Sequence, residues 1–369
     1  MSKKILVGCL MLLALSALGY KISAAQNADK SGPSNLVQPA PVLSAADKAE
    51  LTEALRLKAE FGDQVWPGFS SSVIPIILYN DSYEFLVGEE NPTDSWEVVK
   101  EDNFKGRPYY RRAAKNPQSF AVSIGMRWAG RIGTLDWMNS KGPFKITADF
   151  LIVGLLHEMF HAYQANLAPA RFARATAVYA SEGRYPYKDT DFASAWNSEG
   201  KTLAEAIRAK DDAEAHSLAQ KFLRIRDARR EQATLSPDLV AYEVELEWLE
   251  GLAEYVEIKF YELAASSARE AASIRYGPGL PFYLQGDFIR LERQLGQQDG
   301  DLRFYLSGMA QARLLDRLNP GWKAKAMQEK VYLEDLLRGA VEPEKNQIFL
   351  WSSRRVANAS RGKDCLDKC

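Results

Sequence analysis

The sequence predicts an α+β protein that is mostly α, with a small β-containing part at the front and a helical bulk behind it, packed as one domain. Three observations carry this. Short β-favouring runs bounded by turn residues are concentrated between positions 66 and 150. Beyond position 150 the text is almost continuously helical in its periodicity. The composition, 46% apolar and 26% charged over 369 residues, is that of a globular chain long enough to bury a large core. The formal net charge of −1 argues against a nucleic-acid-binding surface spread over the molecule.

Taken in order, residues 1–25 read as a secretory signal. Lys3 and Lys4 form its basic start, Ile5 to Tyr20 its apolar centre, and Ser23-Ala24-Ala25 its small-residue cleavage site before Gln26. The apolar stretch is short for a membrane span, and an uncleaved anchor is the alternative. Leu6-Val7-Gly8-Cys9 has the form of a lipoprotein box, but the apolar centre follows Cys9 rather than preceding it. The expected location is therefore exported, periplasmic or secreted, with no membrane contact beyond the signal. Residues 26–45 read as a flexible leader, rich in Pro, Ser, Asn and Ala. Residues 46–340 form the globular domain, and 341–369 a tail in which Cys365 and Cys369 either close a small disulfide loop or are incidental thiols.

Within the domain, Leu51, Leu55, Leu57 and Phe61 mark a first helix. Val73–Tyr79 and Phe120–Ile124 are the clearest strands. The helical spans expected afterwards are 148–166, 200–209, 211–232, 237–266, 280–296, 301–318 and 321–338, with a loop over Ala168–Gly200.

The chemistry is concentrated in His157-Glu158-Met159-Phe160-His161, inside the apolar stretch 148–166. Thr147 stands where an N-cap belongs, and Pro169 ends the run. Residues four apart share a helix face, so both imidazoles can reach one cation. Glu158 lies about 100° round the helix, where it can take a proton from water at that cation. A metal-free pair of core histidines is the duller reading. A catalytic zinc takes a third protein ligand and leaves a position for water. The remaining histidine, His216, stands in a polar stretch and reads as a surface residue. Residues 239–263 carry Glu243, Glu247, Glu250, Glu254 and Glu257 within an arc of roughly 80° on an otherwise apolar helix. The outer members, Glu243 and Glu257, are expected in solvent. Glu250, flanked by Trp248-Leu249 and Gly251-Leu252, is expected to be buried and to need a counter-charge, which makes it the third ligand. Glu254 is placed to accept the outer N–H of a ligating histidine.

The text His157-Glu158-x-x-His161, followed by Trp248-Leu249-Glu250-Gly251-Leu252-Ala253-Glu254-Tyr255, resembles the gluzincin metallopeptidases and a group of uncharacterised exported bacterial metallopeptidases. The resemblance covers roughly residues 148–320 and implies a zincin-like catalytic domain, a Zn2+ cofactor and a peptide or protein substrate. It implies His157, His161 and Glu250 as ligands and Glu158 as general base. Tyr305-Leu306-Ser307-Gly308, with Leu315-Asp316, is similar to the segment in which the aminopeptidases of that group carry an oxyanion-stabilising tyrosine, which implies that role for Tyr305. Tyr276 and Tyr283 are the other tyrosines considered for it. The chain departs from that pattern. His161 and Glu250 are 89 positions apart, Leu249 stands where Asn is usual, Ser307 replaces the common Lys, and no Gly-x-Met-Glu-Asn-type segment is present.

In many zincins an edge strand pairs with extended substrate. Phe120–Met126 is expected either as that strand or as plain core β-structure. Arg224, Arg226, Arg229 and Arg230 form either a solvated basic helix face or a reader of substrate carboxylates. Two other functions fit the text: a non-catalytic zinc-binding or assembly module of the cell envelope, and a hydrolase of a non-protein amide such as a cell-wall peptide.

Overall fold

The structure is a computed structural model that describes residues 42–342 apart from 94, 116, 142–144, 267–278 and 299. The signal, most of the leader, Tyr276, the Tyr283 side chain, Cys365 and Cys369 lie outside what is described. Helix α1 (Ala45–Val65) leads into six strands: β1 (Ile76–Tyr79), β2 (Tyr83–Val87), β3 (Glu97–Val98), β4 (Tyr110–Ala113), β5 (Phe120–Ile124) and β6 (Arg127–Gly133). Helices follow: α2 (Leu135–Lys141), α3 (Ala148–Leu167), α4 (Pro169–Ala177), α5 (Thr190–Ile207), α6 (Asp212–Gln232) and α7 (Pro237–Leu246). After them come α8 (Leu252–Ser266), α9 (Gly279–Gln294), α10 (Leu302–Leu318), α11 (Lys323–Ala326) and α12 (Leu333–Val341). The chain is α+β and mostly α. Among the described residues no helix is long and apolar enough to cross a membrane.

The helix starts follow local chemistry. Ser44 and Asp47 form a capping box on α1, and Asp189 and Asp211 accept backbone N–H groups at the starts of α5 and α6. Thr147 occupies the N-cap position of α3, but its side chain makes no cap hydrogen bond. Pro169 ends α3 and opens α4 as its first residue, the position where a missing N–H costs nothing.

The strand order is β3-β4-β2-β1-β6-β5, with β1 and β6 parallel and the other pairs antiparallel. Side chains alternate across the sheet. Ile76, Leu78 and Ile132 join the main core, while Ile77, Leu86 and Ala129 form a small second cluster on the far face. Helix α3 lies against β6. Gly130 makes that approach possible, because a Cβ there would stand 2.7 Å from the Met159 nitrogen. Strand β5 is thus the sheet edge beside α3, and Phe120–Ile124 is both part of the fold and an edge strand.

Several expected boundaries move. The stretch 168–200 is not a loop: it contains α4, a 3-10 segment (Val178–Arg184) and the first half of α5. The span 237–266 is continuous but is interrupted by a wide π turn at Glu247–Gly251. The span 321–338 breaks into α11 and α12.

Candidate metal centre

Helix α3 is buried along nearly its whole length, so its polar residues are held by their neighbours rather than by water. His157, Glu158 and His161 are all buried. The helix spacing brings the two imidazole Nε2 atoms to 3.1 Å from each other. The π turn brings Glu250, which is fully buried, in from the opposite side. Its Oε2 lies 3.1 Å from His161 Nε2 and 3.8 Å from His157 Nε2. Gly251 and Gly308 let this turn cross α10, since a Cβ on Gly251 would meet the Gly308 Cα at 2.5 Å. The glycines of two sequence motifs therefore form one helix crossing.

The outer nitrogens settle which lone pairs point inward. Gln164 donates its amide N–H to the Trp248 carbonyl at 2.8 Å, which turns its oxygen towards His161 Nδ1 at 3.0 Å. An oxygen there accepts, so Nδ1 of His161 donates. His157 Nδ1 donates to Glu257 Oε2 at 3.0 Å. A neutral imidazole has one N–H. In their neutral forms both Nε2 atoms present lone pairs to each other and to the Glu250 carboxylate. Converging acceptors in a buried space are met either by a proton or by a bound cation. His157, His161 and Glu250 are the residues that could hold one. A second group, His157, Glu254 and Glu257, adjoins it through the other side of the His157 ring.

In the absence of an ion the electrostatics favour a proton in that space. Burial pushes the Glu250 carboxyl up, but the His161 and His157 imidazoles beside it more than offset that and hold it well below the usual carboxylate range. Burial opposes charge on His157, yet Glu250 and Glu257 hold its imidazole well above the usual histidine value. Glu158 is pushed up to about 8, by burial first, with His157 opposing and Glu250 adding. Its Oε2 has no hydrogen-bond partner. The Tyr305 ring lies parallel to the His157 ring, centroids 5.7 Å apart and planes 16° apart. Phe120 at the start of β5 packs on His161, ring centroids 4.9 Å apart, so the sheet edge begins at the centre.

Three readings from the sequence need correction. Glu257 is not in solvent: it takes the His157 Nδ1 that Glu254 was expected to take, and Glu254 sits buried beside it. Glu243 is not in solvent either. It accepts from Arg229 Nη1 at 2.6 Å, Arg230 Nε at 2.8 Å and the Tyr185 hydroxyl at 2.5 Å. The basic patch is not a solvated face. Arg226 and Arg229 are buried, and with Arg230 they pair with Glu199, Glu243, Glu247 and Glu334, while Arg224 alone of the four is exposed. Glu243 and Glu247 of the acidic stripe and the basic face thus neutralise each other inside the protein. His216 is partly exposed on α6 and belongs to neither group of possible metal ligands.

Tyr179, Asp301 and Gln164 were not singled out by the sequence. The Tyr179 hydroxyl lies 2.9 Å from Glu250 Oε1 and 2.8 Å from Asp301 Oδ2. Asp301 is pushed up to about 7 by burial and by Glu250. Gln164 had a usable signal, three residues after His161 on the same helix face. Tyr179 and Asp301 had none, because they come from distant segments.

Comparison with family models, with curated proteins and with solved structures finds no match to this chain.

Proposed function

We propose that this protein is an exported zinc-dependent metallopeptidase of gluzincin type, with a zincin-like catalytic domain. The observation that carries the reading is the triangle of His157 Nε2, His161 Nε2 and Glu250 Oε2, whose outer partners already fix which lone pairs point inward. A tetrahedral ion with bonds of about 2.0–2.1 Å keeps its ligand atoms about 3.3–3.4 Å apart. The three separations here are 3.1, 3.1 and 3.8 Å, so the donor set fits zinc in size. Two nitrogens and one oxygen suit zinc in kind, and three protein ligands are the number a catalytic site uses.

Zinc bound there supplies a Lewis acid that makes water nucleophilic near neutral pH and polarises a substrate carbonyl. The remaining work belongs to the chain. Glu158 takes the proton of the attacking water and delivers it to the leaving nitrogen. Its unpartnered Oε2 supports this, since a carboxylate oxygen already bonded would have to break a bond first. Its raised proton affinity suits a group that must accept and then release within one cycle. Tyr305, stacked on His157, donates to the developing oxyanion. Extended substrate pairs with the free edge of β5, which starts at the centre with Phe120.

The test is metal analysis of the purified mature protein together with peptide cleavage by wild type and Glu158→Ala. The expected result is about one zinc per chain in both proteins, as the three-ligand site requires. Cleavage of casein or a peptide mixture should be confined to the wild type and lost with a chelator. Zinc in both proteins with cleavage in neither overturns the peptidase reading. Absence of zinc overturns the metal centre.

A further inference from the structure

Glu250 offers two oxygens, and only one of them faces the histidines. Oε2 lies within 3.1 and 3.8 Å of the two Nε2 atoms, while Oε1 accepts a hydrogen bond from the Tyr179 hydroxyl at 2.9 Å. With three protein ligands and water in place, a carboxylate bound through both oxygens raises the coordination number from four to five and crowds the position a catalytic site keeps open. Whatever holds Oε1 away therefore decides whether the centre is closed or open.

We propose that Tyr179, held by Asp301, confines Glu250 to a single ligand oxygen and so keeps one coordination position free. The inference rests on the metal-centre reading above and names a positioning residue within it. Three observations carry it. The hydroxyl stands 2.9 Å from Glu250 Oε1 and 2.8 Å from Asp301 Oδ2; with its single proton given to Glu250 it accepts from a protonated Asp301, so it is anchored on the side away from the centre as well as on the near side. Tyr179 belongs to the 3-10 segment Val178–Arg184, which packs against α7 just ahead of the π turn, and its ring packs on the main core. Asp301 in turn accepts the Tyr305 backbone N–H through its own carbonyl at 3.2 Å. One residue thus ties the first turn of the Tyr305 helix to the phenol that grips Glu250. The long stretch between His161 and Glu250 then acquires a purpose: it delivers Tyr179 to the oxygen of Glu250 that faces away from the histidines.

A packing role alone would lower stability without altering the coordination number. The visible absorption of Co2+ separates the two, because four-coordinate Co2+ absorbs several-fold more strongly than five-coordinate Co2+, d–p mixing in its d–d bands being greatest in a tetrahedral field. The experiment compares Co2+-loaded wild type, Tyr179→Phe and Asp301→Ala, with X-ray absorption at the cobalt edge as a second reading of coordination number. Wild type is expected to give the strong four-coordinate spectrum. Tyr179→Phe is expected to lose band intensity several-fold, and its kcat is expected to fall about tenfold, the scale on which outer partners of metal ligands act. Asp301→Ala, with the phenol present but unheld, is expected to move the same way by a smaller amount. A Tyr179→Phe spectrum identical to wild type overturns the proposal. Should that variant take up no cobalt, Asp301→Ala decides: an unchanged spectrum overturns the proposal and a weakened one supports it. Wild type that takes up no cobalt refutes the metal centre itself, which is a different failure from unchanged variants in a loaded protein.

Discussion

Replacing Glu257 by alanine separates the sequence reading of that residue from its place in the structure. A glutamate at the outer end of a solvated stripe should be silent when removed. In the structure Glu257 accepts the Nδ1 proton of His157 at 3.0 Å, and both side chains are buried. A hydrogen bond to a charged acceptor contributes about 1.5–3 kcal/mol. Loss of the outer partner of a metal-bound histidine costs about 10–100-fold in affinity, or about 1.4–2.7 kcal/mol. The two ranges overlap near 2 kcal/mol, which corresponds to about a 30-fold weaker zinc affinity. Glu257→Gln keeps an oxygen that can accept, so its loss should fall between wild type and Glu257→Ala. The assay is zinc competition against a chromophoric chelator, with thermal melts of the metal-free proteins as a control for folding. A folded Glu257→Ala with wild-type zinc affinity would refute the reasoning, because it would mean that the 3.0 Å contact does not orient the ring.

Three further predictions follow from separate parts of the molecule. Glu158 is pushed up to about 8 by burial, and Glu250 and Glu257 hold a proton on His157 against its burial, so uptake of a divalent ion at neutral pH must displace protons. Zinc affinity should therefore rise with pH between about 6 and 8, and calorimetry in buffers of different ionisation heat should show proton release. A flat profile with no release contradicts those protonation states. Gly130→Ala would drive a methyl into the Met159 nitrogen at 2.7 Å and should cost about 1–3 kcal/mol of stability in urea unfolding. A neutral result would mean that α3 can slide away from β6. Arg229→Met leaves Glu199 and Glu243 as buried charges short of a partner and should destabilise by about 3–5 kcal/mol. A loss under about 1 kcal/mol, the scale of exposed ion pairs, would show that solvent reaches them.

The legible parts of this chain were those fixed by local spacing. The histidine helix was readable because four-residue spacing on an apolar rod needs no knowledge of its neighbours. Glu250 was readable because Trp248, Leu249 and Leu252 announce burial around it. Phe120–Ile124 was readable as a strand from its own residues, with the observed bounds. The illegible parts were those that depend on which surface faces which. A helical wheel gives the angle of Glu243 and of Arg229 but not that the two stripes face each other, so each looked solvated alone. The wheel also assumes an even 100° per residue, and the wide turn at Glu247–Gly251 breaks that phase just before Glu254 and Glu257. Between Ala168 and Gly200, Pro169 and Asp189 were usable helix-start signals that the loop reading overlooked. Tyr179 and Asp301 meet across 122 positions, a pairing that only a folded chain reveals.

The most direct test is a crystal of the zinc-soaked protein measured on both sides of the zinc absorption edge. The account predicts one anomalous peak about 2.0–2.2 Å from His157 Nε2, His161 Nε2 and a single oxygen of Glu250. A zinc peak among Glu254 and Glu257 alone, or no peak in a protein that retains its fold, would contradict it.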